Sequence, residues 1–142
     1  MSPASAPVSP GLSARVIHGA LFLGVVMFTG VAWYIGSNVS LPVGAIPDRR
    51  VLYLGLVLMS AVLFGAAMYT AGRLGGPRAG VSQDEWWRAN LGRAIVIWAL
   101  VEAPALLGTV AYLLTHDFRT LIATFTGLLL FVNYRPSRLA EP

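Results

Sequence analysis

Four long runs of apolar side chains leave this chain little choice of environment. The first, VIHGALFLGVVMFTGVAWYI, covers residues 16–35. At roughly twenty residues it is long enough, as a helix, to cross the ~30 Å hydrocarbon core of a bilayer. The others cover 51–71, 91–114 and 118–134. A water-facing surface needs charge, and only 11% of the residues are charged, against about 25% in a soluble domain. Runs of this length therefore predict an all-α polytopic membrane protein. Its single domain, over 14–135, holds four transmembrane helices in an up-down bundle.

The segments between the runs mark the ends of the spans. Residues 1–13 are rich in Ser, Pro and Ala without apolar periodicity, which predicts a disordered tail. No A-x-A site closes the first run, so it is expected to stay as an anchor and not be cleaved. The connector SNVSLPVGAIPD has two prolines and a glycine and reads as an irregular loop. Between the second and third runs, Ser82 and Glu85 have the spacing of a capping box. That predicts a helix starting near Gln83 and continuing through Arg93 into the third span. Trp33 and Tyr34 at the end of the first span, and Trp86 and Trp87 before the third, suit the headgroup level as interface anchors. The short Thr115–His116–Asp117 turn predicts a tight antiparallel hairpin of the last two spans. Residues 136–142 read as a polar tail.

Charge then sets the orientation. All ten basic residues are arginine. Arg15, Arg73, Arg78, Arg88, Arg93, Arg135 and Arg138 fall on one predicted side; Arg49, Arg50 and Arg119 fall on the other. The excess predicts both termini in the cytoplasm and a multi-pass protein of the cytoplasmic (inner) membrane. In that setting the net charge of +4 serves anionic headgroups, and no nucleic acid partner is expected.

Several chemistries are closed to the chain. Without cysteine there is no disulfide, thiolate metal site or thiol nucleophile. Without lysine there is no Schiff base or Walker lysine. His18 and His116 are predicted at opposite faces of the membrane, so no metal site is expected, and His18 reads as an interfacial side chain. The glycine-rich 72–80 segment lacks a GKS/T ending and is no phosphate cradle. No Ser-His-Asp set or carboxylate pair is visible. The expectation is a protein that is not an enzyme and needs no cofactor.

One residue stands against this background. Glu102 lies near the middle of the third span, where an ionisable group costs roughly 2.5–3.5 kcal/mol. A neutral, protonated carboxyl is the form such a position tolerates, and its proton needs an acceptor. Counting from the span midpoints places Ser60, Thr124 and Thr126 at the same depth and Thr29 about a turn off-centre. They form an expected polar layer around Glu102. Pro104 leaves the Leu100 carbonyl without its helical donor. With Ala99, Ala105 and Gly108 it predicts a kinked stretch where a neighbouring helix can approach closely.

The segment ALVEAPALLGTVAYLL, residues 99–114, resembles the carboxylate-bearing helix of rotary ATPase c and K subunits. The resemblance implies that Glu102 corresponds to an ion-carrying carboxyl. The chain departs from that family in three respects. Its second span has only Gly55 and Gly65 where a dense glycine repeat belongs, its cytoplasmic loop is long, and the carboxyl sits on the third span. The whole chain also resembles small uncharacterised bacterial four-helix membrane proteins, with a first span of R-x-I-H-x-A-L type and a third of A-L-x-E type. Two functions follow as expectations. The first is a non-catalytic structural or accessory subunit in contact with the lipid bilayer and with other membrane subunits or itself. The second is a proton- or ion-coupling protein that uses Glu102.

Overall fold

The computed structural model describes residues 9–38, 48–77 and 79–140. Most of the expected irregular connector, the first eight residues and Arg78 lie outside them. The described chain is helical, with α1 over Pro10–Asn38, α2 over Arg49–Gly72 and α3 over Gln83–Thr115. A 3-10 turn over Phe118–Thr120 leads into α4, Leu121–Asn133, and a short α5 covers Pro136–Leu139. Three helices, α1 to α3, are long and apolar enough to cross a membrane. The fourth apolar stretch, Phe118–Asn133, is shorter.

Local chemistry explains each boundary. Pro10 sits at the first helical position, and the Ser9 hydroxyl accepts from the Leu12 N–H at 3.3 Å. α1 thus begins inside the stretch expected to be a disordered tail. Asp48 caps α2 by accepting from the Arg50 N–H at 2.8 Å. The capping box at Ser82 and Glu85 is present, and α3 starts at Gln83 as its spacing predicts. α3 ends where His116 turns into the left-handed region at φ 52° and its N–H meets the Tyr112 carbonyl. The fourth expected span is cut at both ends. Asp117 starts the 3-10 turn by accepting from the Arg119 N–H. At the far end Arg135 precedes Pro136, which disfavours further helix. The 13 residues of α4 rise only about 20 Å.

α3 is the central element, packed against α1, α2 and α4. Half of its apolar stretch is buried inside the protein, against 11% for α1 and for α2. The core gathers Ala94, Ile97, Trp98, Val101 and Ala105 of α3 around Val25 of α1, Ala67 of α2 and Phe131 of α4. Trp86 and Trp87 belong to this core, at 5% and 2% exposure. Of the expected interface anchors, these two pack inward against the protein. Trp87 lies under Gly11 of α1 and within 6.4 Å of the Trp98 ring, so α1 covers it. Trp33 and Tyr34 are exposed. The expected polar C-terminal tail also joins the fold, with Leu139 and Ala140 against the core. The outer faces remain apolar: Val16, Leu23, Leu58, Val62 and Leu129 are all exposed. Such a continuous apolar surface suits a protein in contact with lipid.

Candidate functional site

Glu102 occupies the edge of the buried arc of α3. Its neighbour Val101 is fully buried, whereas Glu102 is half-buried and Ala99, one turn before it, is exposed. Helical spacing puts Ile95, Ala99 and Leu106 on the same flank. Among the described residues no hydrogen-bonding or charged group acts on its carboxyl.

Two of the four expected hydroxyls, Thr29 and Thr124, join one network, and none of the four bonds to Glu102. Thr29 Oγ1 on α1 lies 3.0 Å from Thr109 Oγ1 on α3, and Thr109 Oγ1 lies 3.1 Å from Thr124 Oγ1 on α4. Thr124 donates to the Ala105 carbonyl at 2.8 Å, and Thr109 is 3.2 Å from the same oxygen. Three helices are thereby joined through hydroxyls to one main-chain carbonyl. Thr109, the centre of this chain, was not among the expected residues. Its spacing of four from Ala105 is the available signal, because a threonine can return its hydroxyl to the carbonyl a turn earlier. Ser60 and Thr126 line a different space, a cleft of about 280 Å³ between α2 and α4 with Leu56, Val57 and Phe64. Ser60 Oγ is buried there without a partner among the described residues. The grouping of all four hydroxyls around Glu102 is therefore corrected. They face other seams because each helix presents its hydroxyl at a different angle.

The small-residue stretch does bring two helices together. A Cβ on Gly127 of α4 would lie 2.6 Å from Ala105 Cβ and 3.1 Å from the Val101 carbonyl oxygen. A Cβ on Gly108 would lie 2.7 Å from the Thr120 carbonyl oxygen and 2.8 Å from Thr124 Oγ1. Glycine at both positions lets α3 and α4 touch along their backbones. Ala105, Gly108 and the fully buried Pro104 belong to this packed side. α3 stays α-helical through Pro104. Ala99 does not belong to the contact; it is exposed on the opposite flank.

Polar side chains pin both ends of the bundle. His18 Nε2 lies 3.0 Å from the Phe131 carbonyl oxygen, and Trp98 Nε1 donates to the Tyr134 carbonyl at 2.8 Å. A carbonyl only accepts, so Nε2 carries the hydrogen. The two rings also meet edge-on, with centroids 5.1 Å apart. His18 is thus a packed side chain that binds α1 to α4, which goes beyond the interfacial role expected of it. At the other end the Tyr53 hydroxyl donates to Asp117 Oδ2 at 2.8 Å. The Arg119 N–H and the Tyr53 hydroxyl together hold the Asp117 carboxyl below the usual carboxylate range. Trp33, Tyr112 and Phe118 close this end as an aromatic group. Among the described residues no group of His, Asp or Glu is arranged to hold a metal ion.

No protein-family model, curated protein or solved structure matches the chain.

Proposed function

We propose that this protein is a multi-pass membrane protein acting as a non-catalytic accessory subunit, which meets another membrane subunit or a second copy through the Glu102 flank of α3. A half-buried carboxyl within an apolar helix needs a polar partner. The fold supplies none among the described residues, and the adjoining Ala99 leaves room for a helix to approach. That unpartnered Glu102 is the observation that carries the reading.

An up-down arrangement with both termini in the cytoplasm accompanies it. The pairs Gly11–Trp87, His18–Trp98 and Thr29–Thr109 advance together along α1 and α3, which supports two parallel helices separated by a return. Trp98–Tyr134 and Gly108–Thr120 run in opposite order along α3 and α4. The excess of arginine at the end holding Arg15, Arg88, Arg93 and Arg135 supports the cytoplasmic side for that end.

The chain has no native cysteine, so a single Ala99→Cys reports on this flank alone. Crosslinking in native membranes should give an adduct of one defined mass, and Glu102→Ala should abolish it. Recovery of a lone monomer, both here and in a detergent pull-down read by mass spectrometry, counts against the accessory role. Ion coupling is the second reading, favoured by a carboxyl that is only half covered. Proton flux in liposomes decides it: equal flux for wild type and Glu102→Gln removes this reading.

A further inference from the structure

α2 and α3 meet along a seam, and one end of it is a cleft of about 340 Å³ lined by Tyr69, Thr70, Arg73 and Arg93. Arg73, at the C-terminal cap of α2, and Arg93 of α3 share this cleft, and among the described residues no acidic side chain lines it. Like charges brought together repel, so the arrangement favours an anion between them. Arg73 caps the C-terminus of α2, where the helix carries about half a negative charge. That offsets part of one guanidinium and leaves the other. The Arg73 guanidinium is positioned by Tyr69, with Cζ 4.5 Å from the ring centroid. Thr70 gives its hydroxyl hydrogen to the Ala66 carbonyl at 2.7 Å and so does not donate into the cleft. The remaining donors are two planar guanidiniums and the Tyr69 hydroxyl, a set matched to an anion with several oxygens.

Depth and surroundings identify the carrier of that anion. Both arginines sit at the margins of apolar helix, Arg73 just past the end of α2 and Arg93 near the start of the apolar run of α3. This is the headgroup level of a bilayer that the helices cross. Helical spacing sets Ala66, Val62 and Met59 in a line below Thr70 and Arg73, and Val96 below Arg93. Val62, Met59 and Val96 are exposed, and farther along the same seam Leu56, Leu107 and Val110 line an apolar groove. The seam is charged at the headgroup end and apolar beneath it.

We propose that this cleft binds the phosphate of an anionic phospholipid, with Arg73 and Arg93 clamping its oxygens and the acyl chains lying along the α2–α3 seam. The site depends on the chain spanning a membrane and is independent of any role for Glu102.

Native mass spectrometry of the full chain, released from vesicles of mixed phosphatidylglycerol and phosphatidylcholine, tests it. Wild type is expected to retain phosphatidylglycerol in preference. Arg73→Gln with Arg93→Gln should lower that preference roughly tenfold. Arg49→Gln with Arg50→Gln, at the other end of α2, should keep it. Equal retention by wild type and the first double variant would overturn the proposal, and so would a wild type with no preference. Displacement of the lipid by millimolar inorganic phosphate would also overturn it, because the site would then serve a free anion. Vesicle flotation is measured alongside. A wild-type chain that fails to float overturns the membrane reading itself, and is distinguishable from loss of lipid preference in a chain that floats.

Discussion

His18 and Phe131 join the first helix to the last: the imidazole Nε2 donates to the main-chain carbonyl of Phe131 at 3.0 Å. That carbonyl is in the final turn of α4, where helical partners run out. Trp98 does the same for Tyr134, so the C-terminus of α4 is satisfied by side chains from α1 and α3.

His18→Ala is expected to lower stability by about 1–3 kcal/mol, since it leaves the Phe131 carbonyl unpartnered in an apolar setting and opens space beside Trp98. Unfolding in detergent, followed by tryptophan fluorescence, reads this directly. A change below a few tenths would show that the pairing contributes nothing.

Gly127→Ala should be worse tolerated than substitution of a glycine with open space around it. Its Cβ would fall 2.6 Å from Ala105 Cβ and 3.1 Å from the Val101 carbonyl oxygen, neither of which can rotate away, so a cost of about 1–3 kcal/mol is expected. Gly24→Ala in α1, with open space around its Cβ, is the control and should be neutral or slightly stabilising. Thermal unfolding of the two variants side by side checks the difference.

Thr109→Val removes the hydroxyl shared by Thr29 and Thr124 while keeping nearly the same shape. Hydrogen bonds between membrane helices average about 0.6 kcal/mol, so a loss of about 1 kcal/mol is expected from the two. Thr29→Val should cost less, because Thr124 keeps its bond to Ala105. A double-mutant cycle with Thr124→Val should give a coupling energy distinct from zero.

Asp117 gives the protein an acid-sensitive end. Its folded-state pKa is depressed, first by the Arg119 N–H and then by Tyr53. The stabilisation is therefore present in full above the unfolded carboxyl pKa of about 3.9 and is lost as pH falls through the lower folded value. Asp117→Asn should flatten the acid side of the stability profile by lowering stability near neutral pH, and leave the most acidic values almost unchanged. Melting temperatures between pH 2 and pH 6 would show it; parallel profiles would disprove the assignment.

Legibility in the sequence varied with the range of the interaction. The start of α3 was readable because Ser82 and Glu85 bond to backbone three residues away. The start of α1 at Pro10 was equally local, yet the Ser- and Pro-rich composition of residues 1–13 concealed it. The same glutamate that stood out by position lost its expected company. Thr29, Thr124, Ser60 and Thr126 were placed by depth, and depth fixes height along a helix without fixing the direction a side chain takes around it.

Sequence alone determined that the chain forms long apolar helices, the Ser82–Glu85 cap of α3, the Gly108–Ala105 small-residue surface and the isolation of one carboxyl among apolar residues. These follow from local spacing and from the cost of charge in an apolar medium. Only the tertiary structure decided that α3 is the central helix, that Trp86 and Trp87 turn inward, Trp87 beneath α1, and that Thr109 joins three helices while Glu102 bonds to none of the described residues. Those outcomes depend on the rotation of each helix about its axis. Rotation is set by the close Gly127–Ala105 contact and by side chains, such as His18 and Phe131, that lie far apart in the chain.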